Sequence, residues 1–439
     1  RDKRFDVESG PVVRVSPEEV SFNTPSSFRD IYAFRKGHQV FVKTESYNAA
    51  AFTAQARSIV NERDPVEHTK MKKMLGPAFA ERSVREQWPL IQQLVEGFVV
   101  KLKSLAKEGN RKPVDLVLLL SLITFDISTS LALGESFDAV KAGKRHPWHR
   151  FFMNGARAMG EGVALGKFPW LKNLMIAWKP PQMKQMIKEL RMHEQFCIEM
   201  VKKRLASPSD RPDILNFILK GAEQEGEKYE TDSIAAQLSD VVIAGAETSS
   251  VALSTANYFL LRNPDALGKL HAEIRGTFQR DEDITISSTQ KLEYLNAVIN
   301  EAMRLMAPVP WPLTRLVPSG GDTVDGYHLP AGTWVSTNTF ATARSPDNFR
   351  DAAEFKAERW LAKDSSDNLD ASQPFSLGTR VCIGKQVGLI QLRIIMAKLH
   401  FNFDIEAVDN NLDWIRDTDF RLLWDKPAMN VYIKERNAV

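Results

Sequence analysis

Phe375-Ser376-Leu377-Gly378-Thr379-Arg380-Val381-Cys382-Ile383-Gly384 decides the reading of this chain. Cys382 is one of two cysteines in 439 residues, and Cys197 has no comparable neighbours. A phenylalanine, two glycines and an arginine stand at fixed offsets from Cys382, just ahead of a long apolar pattern. Such an arrangement suits a thiolate that binds a metal, and the thiolate needs surroundings that lower its pKa. Ile383, Val387, Ile390, Ile394 and Ile395 recur at helical spacing, which predicts a helix over 383–399 with Cys382 at its N-terminus. Free amides and the positive end of the helix dipole would favour a negative sulfur there. Gly378 can take backbone angles closed to other residues, and Gly384 lets the backbone approach a large flat ligand. Phe375 would shield the sulfur, and Arg380 offers forked donors suited to a carboxylate. Cys197, in an apolar helical setting, reads as a small buried hydrophobe.

The Phe-x-x-Gly-x-Arg-x-Cys-x-Gly string resembles the heme-binding loop of the cytochrome P-450 superfamily. Further segments follow in the order that family shows. Ala244-Gly245-Ala246-Glu247-Thr248 lies within a helical pattern over 232–262 that is ended by Asn263-Pro264. Taken alone, these small residues mark a place where another helix packs closely. The resemblance implies oxygen activation instead, with Ala244 and Gly245 leaving room for a small ligand, Thr248 hydrogen-bonding it, and Glu247 serving as a general acid. Glu301-x-x-Arg304 shares one helix face, which by itself is a solvated pair of little value. With Glu358-Arg359-Trp360 downstream, it resembles the family's buried network of Glu301, Arg304 and Arg359, a structural device. The cations expected for the two heme propionates are Arg380, Arg315, and His68 with Lys72, where lysine replaces the arginine common in the family.

Val12-Val13-Arg14-Val15-Ser16-Pro17, Thr124-Phe125-Asp126-Ile127 and Gly134-Glu135-Ser136-Phe137 are similar to the filamentous-fungal, microsomal-type branch of the superfamily. The resemblance implies the cytochrome P-450 fold, predominantly α with small β-sheets, as a single catalytic domain over 1–439. It implies heme b (iron protoporphyrin IX), dioxygen, and electrons from NADPH through a separate reductase. It also implies a membrane anchor ahead of Arg1 that places the protein on the cytoplasmic face of the endoplasmic reticulum. The substrate would be a small apolar molecule, a secondary metabolite, met by Ile243, Val309, Trp311 and the stretches 47–59, 151–178 and 422–424. Lys70, Lys73 and Lys385 are candidates for the surface that meets an acidic reductase.

Composition narrows the field further. Lys and Arg total 58 against 55 Asp and Glu, a net charge of +3 that gives no reason to expect nucleic acid. With one cysteine assigned to a metal, no disulfide framework remains, which fits a reducing compartment. The most apolar run, 114–127, carries Asp115, Ser121 and Thr124 and is too short to span a bilayer. Helical patterns are expected from about Glu67 to Arg204, interrupted near Pro113, Gly143–Pro147 and Gly160–Pro181. Strands are expected at 12–15, 314–317, 333–337 and 430–433. Two rival functions stand beside the monooxygenase. A heme-thiolate isomerase, dehydratase or peroxygenase would need no reductase, and Glu247-Thr248 argues against it. A non-enzymatic heme sensor would need a signalling domain, for which no sequence is left over.

Overall fold

A computed structural model describes residues 10–48, 53, 56–108, 112–166, 168–178, 180–207, 209–362, 366–409, 411–420 and 423–436. The architecture is helical, with short strands in small sheets. Its centre is the helix Thr231–Arg262, which packs against Leu116–Leu133, Pro181–Ala206 and Glu293–Leu305. The long helix stops where Pro264 forbids its continuation, and Pro264 opens the next helix, Pro264–Thr277.

Leu116–Leu133 shows how sequence and packing agree. It is apolar on every face, and such a helix is stable only when buried all round. Among the described residues it is the one helix long and apolar enough to cross a membrane, yet 94% of it is buried inside the protein. It extends beyond the apolar run read from sequence, to a left-handed Gly134 whose N–H donates to Ser130 O at 3.1 Å. Asp126, inside this helix, accepts the amides of Ala139 and Val140 at 2.9 Å each and so caps the short helix Ala139–Ala142. That contact gives a physical reason for the Asp126 and Gly134 signatures noted in the sequence.

The break expected over 160–181 is smaller than the sequence suggested. Gly160 and Gly162 lie inside one helix, Pro147–Gly166, followed by Pro169–Trp178 and Pro181–Ala206. Interior glycine costs a helix only about 1 kcal/mol, and packing against Pro181–Ala206 offsets it.

A five-stranded sheet has the order β1 (Val12–Ser16), β2 (Glu19–Phe22), β5 (Trp334–Thr337), β4 (Arg315–Leu316), β3 (Val42–Lys43). β2 runs parallel to β5, and the other pairs are antiparallel. Beneath this sheet Val20, Phe22, Phe28, Tyr32, Phe41 and Val335 form a core separate from the main helical one. The sheet matters for function because its far end sets Lys43 directly opposite Arg315.

Candidate functional site

Cys382 sits in a tight loop that ends one turn before the helix Lys385–Asn402. Its N–H donates to Phe375 O at 2.9 Å, closing the loop on itself. Gly378 has φ +71°, and a Cβ there would collide with the Tyr32 carbonyl, so both backbone angle and space demand glycine. Gly384 has ordinary angles. Among the described residues apart from its chain neighbours, Phe79 alone lies within 4 Å of a Cβ built there, so room remains beside it for a flat ligand. The Cys382 side chain is accessible, although protein closes round it closely enough to desolvate it. Burial pushes its thiol above the ordinary value, while the Gly384 amide and the Lys385 ammonium pull it down. The protein alone therefore does not produce the depressed thiol that the sequence suggested. Burial outweighs the Gly384 amide and Lys385, and the helix begins at Lys385, two residues later than expected. The Phe375 ring is half-buried with the Lys385 ammonium 5.6 Å from its centroid, which occupies Lys385 locally.

Four cationic or basic groups meet on one side of this loop. Arg315 and His68 are buried, and Arg380 is half-buried. Lys43, which sequence reasoning passed over, is 5% exposed. Arg380 donates from Nη1 and Nη2 to the carbonyls of Glu62 and Arg63, both at 3.1 Å. Arg315 Nη1 donates to Tyr47 Oη at 3.1 Å and to Thr314 O at 3.0 Å. Burial, with Arg380 and Lys43 nearby, lowers His68 to about 3. Burial, with Arg315 nearby, lowers Arg380 to about 10. None of Lys43, Arg315 and Arg380 makes an ion pair among the described residues, although nearby Glu62 and Asp64 act at longer range. Buried cations that repel one another without a carboxylate in contact form a seat for an external dianion. Lys72 is not part of it. Its ammonium donates to Thr379 O at 2.9 Å in an exposed setting, tying the helix Pro65–Phe79 to the outside of the cysteine loop.

On the long helix, Ala244 is accessible and Val241, Gly245 and Thr248 are half-accessible, whereas Ile243, Ala246 and Glu247 are buried. Ala244 and Thr248, one turn apart, thus present an open stripe in the middle of a core helix. Thr248 Oγ1 donates to Ala244 O at 2.5 Å. Three sequence expectations change here. Gly245 owes its lack of a side chain to the neighbouring helix, since a Cβ would lie 2.6 Å from Ser128 Oγ. Ile243 is 3% exposed and packs into the core, because it falls on the opposite side of the helix from the stripe. Glu247 accepts from Lys426 Nζ at 2.9 Å and pairs with His149 Nε2 at 2.8 Å, fully buried. Burial opposes its ionisation, but Lys426 and His149 outweigh burial and hold the carboxyl well below its usual range. A group so firmly ionised is a poor general acid near neutrality.

Elsewhere the structure gathers what the sequence scattered. Arg304 grips both oxygens of Glu301, with Nε to Oε2 and Nη2 to Oε1 at 2.8 Å, and Arg359 Nε donates to Oε1 at 3.0 Å. Trp360 Nε1 donates to Oε2 at 2.9 Å and the Lys356 amide to Oε1 at 3.0 Å, so the carboxylate is saturated. Val309 and Trp311 are half-exposed in the loop after Glu293–Leu305. Lys70 and Lys73 pair with Glu67 and Glu225, at 2.7 and 2.8 Å. Residues 49–52, 54–55, Lys167 and Leu422, within the expected substrate-facing stretches, lie outside the described residues. Cys197 is fully buried, and burial pushes its thiol up to about 12. No pattern pointed to Lys43, His149, Lys426 or Asp240, because each is a single residue whose partners come from distant segments.

A family model described as Cytochrome P450 matches residues 8–431. A cytochrome P450 monooxygenase, ORF11, of Penicillium roqueforti (strain FM164) is 41% identical over 405 residues, covering 92% of this chain and 83% of that protein. The cytochrome P450 monooxygenase BipB of Cochliobolus sativus is 37% identical over 430 residues, covering 96% of this chain and 84% of the relative. The crystal structure of the cytochrome P450DA heme domain superposes with a TM-score of 0.80 at 18% identity, over 97% of this chain and 90% of that one. That family carries an iron heme, and the accessible Cys382 thiol, the space beside Gly384 and the cation seat fit such a group. The chain belongs to the cytochrome P450 family, in the branch of filamentous-fungal monooxygenases.

Proposed function

We propose that this chain, as one catalytic domain over 1–439, uses heme b to oxidise a small apolar molecule of secondary metabolism. Dioxygen is the oxidant, and electrons come from NADPH through a separate reductase. The observation that carries the reading is the accessible yet desolvated Cys382 thiol together with buried cations that lack a carboxylate in contact among the described residues. When bound, the heme supplies oxygen activation, favoured by electron donation from a thiolate ligand.

The chain's own contribution is positioning. Cys382 Sγ would hold the heme iron, and the closed loop from Phe375 to Gly384 keeps the sulfur in place. Arg315 and Arg380 would take the propionates, with His68 beside them. Ala244 keeps the helix stripe open, and Thr248 Oγ1, its proton committed to Ala244 O, offers lone pairs to a polar group in that stripe. Glu247 clamps the long helix to the start of Pro147–Gly166 and to the C-terminal segment at Lys426. Half-exposed Val309 and Trp311 are the apolar groups offered to substrate.

Phe168, Trp170, Leu174 and Trp178, exposed by 54–74%, supply a surface that supports membrane association at the endoplasmic reticulum. The reading is tested by reducing the purified protein under carbon monoxide. A strongly red-shifted Soret band is expected, lost in Cys382→Ser, and its absence from wild-type holoprotein overturns the proposal. NADPH-dependent oxygen uptake that requires an added reductase then separates a monooxygenase from a peroxygenase or isomerase.

A further inference from the structure

The helix Pro181–Ala206 sorts its charges by side. Between Pro181 and Phe196 its acids are Glu189 and Glu194, and both are buried. Glu189 accepts from Gln185 Nε2 at 2.7 Å and from Asn154 Nδ2 at 2.9 Å, so neutral donors occupy both of its oxygens. The cations of the same stretch, Lys184, Lys188 and Arg191, are all exposed, and none makes an ion pair among the described residues. Their spacing of four and then three residues lines them along one face over about 10 Å of helix. Like charges at that spacing destabilise a helix, and no described acid touches them to relieve it.

Beside them runs an open groove of about 520 Å³, between this helix and the start of Pro147–Gly166. All three cations line it, and its apolar wall is Phe151, Ile187, Met192 and Phe196. Ile187 and Met192 are 38% and 42% exposed, so the wall is open to an apolar guest. Glu199 is the one acid on the lining. It lies about two turns beyond Arg191, and Gln195 Nε2 donates to it at 2.8 Å. The groove begins close to where the exposed rings end, since Lys184 follows Trp178 by six residues. An apolar wall rimmed by unpaired cations complements a molecule with an apolar body and an anionic head. Its closeness to rings suited to the membrane interface favours a phospholipid over a soluble anion. The chain's net charge is nearly balanced, so the attraction is local to this stripe and reaches about one Debye length, roughly 8–10 Å.

We propose that this groove binds an anionic phospholipid, its phosphate at Lys184, Lys188 and Arg191 and its upper acyl carbons against Ile187 and Met192. The inference rests on the membrane association proposed above and adds a lipid selectivity that aromatic rings cannot supply.

The test is sedimentation of purified holoprotein with vesicles of phosphatidylcholine alone and with vesicles that also contain phosphatidylserine. Wild type should bind the second kind at least about tenfold more tightly. Lys184→Gln with Lys188→Gln and Arg191→Gln should weaken that binding about 10- to 100-fold. Binding to phosphatidylcholine should stay within about twofold of wild type, with the carbon monoxide spectrum unchanged. Lys188→Gln alone should weaken binding to the serine lipid about fivefold, and it serves if the triple variant is unstable. Lys202→Gln with Lys228→Gln and Lys291→Gln removes the same charge outside the groove and should change neither binding by more than about twofold.

Equal sedimentation of wild type with both vesicles overturns the lipid site and leaves the rings their role. An equal loss in the two triple variants overturns it as well, because net charge would then be the cause. Tight calorimetric binding of inorganic phosphate by wild type, lost in the groove variant, would make the occupant a soluble anion and overturn the lipid. Wild type that sediments with neither vesicle overturns the membrane reading itself, and the two failures are thereby distinguished.

Discussion

Asp240 lies on the long helix one turn before Ala244, fully buried, with Oδ2 unpartnered among the described residues. Burial raises its carboxyl from 3.8 to about 6 against the pull of Ser58, the Val60 amide and Lys43. A carboxyl raised in the folded state contributes stability that is complete below its unfolded pKa and is lost as pH rises through about 6. Asp240→Asn keeps an acceptor for Ser58 and Val60 but never ionises. It should gain on the order of 2–3 kcal/mol over wild type at pH 8 and nothing near pH 4. Urea midpoints at the two pH values decide the matter, and a pH-independent difference would show that Asp240 is ionised in neither state or in both. Single residues of this kind were the least legible in the sequence. Asp240 and Lys43 carry no local pattern, and their chemistry comes from segments that fold next to them. Cys382, Gly378 and Arg380 were legible because their geometry is local, set by a loop of ten residues.

At the scale of elements, two helix contacts distinguish what small residues do. A methyl at Gly245 would meet Ser128 Oγ at 2.6 Å, while that hydroxyl has no partner among the described residues. Gly245→Ala should therefore destabilise by up to about 2 kcal/mol, the overpacking partly offset by better helix propensity. Adding Ser128→Ala removes both the clash and the orphaned hydroxyl, and the double variant should equal or exceed wild type in stability while retaining the carbon monoxide spectrum. Loss of that spectrum in a stable double variant would return Gly245 to the ligand-facing role read from sequence.

The Glu301 cluster is a second case. Glu301→Gln leaves Arg304 and Arg359 buried without their carboxylate and should cost about 3–5 kcal/mol, seen as a lowered urea midpoint and reduced cofactor retention. A change under about 1 kcal/mol would mean that the cluster behaves as a surface pair. Here the spacing of Glu301 and Arg304 was readable, but their saturation by Trp360 and the Lys356 amide was not. Element identity was likewise easier to read than element ends. The helices at 231–262 and 293–305 fall where periodicity placed them, and both are bounded by proline. Strands β2 and β6 (Phe403–Ala407) went unread, because short strands acquire their character only from partners far along the chain.

Across the whole molecule, charge is nearly balanced, so the proposed association with a membrane would draw on apolar surface and not on bulk electrostatics. The exposed aromatic groups of 168–178 are the candidates for it. Trp170→Ser with Trp178→Ser should weaken binding to phosphatidylcholine vesicles several-fold, roughly 1 kcal/mol per ring, with the carbon monoxide spectrum unchanged. Unaltered sedimentation with vesicles would remove these rings from any membrane role. The overall architecture was legible from one loop and four ordered motifs, since these occur together only in this fold. The charge partners of Glu247 were not, because His149 precedes it and Lys426 follows it by about a hundred residues or more.

The parallel pairing of β2 with β5 joins Glu19 to Trp334. During synthesis the first strand leaves the ribosome long before its partner exists. At about 5–20 residues per second, the wait for roughly 300 further residues is on the order of 15–60 seconds. For that interval Glu19–Phe22 is an unmated edge in a crowded cell, which makes the nascent amino-terminal region a natural client for chaperones.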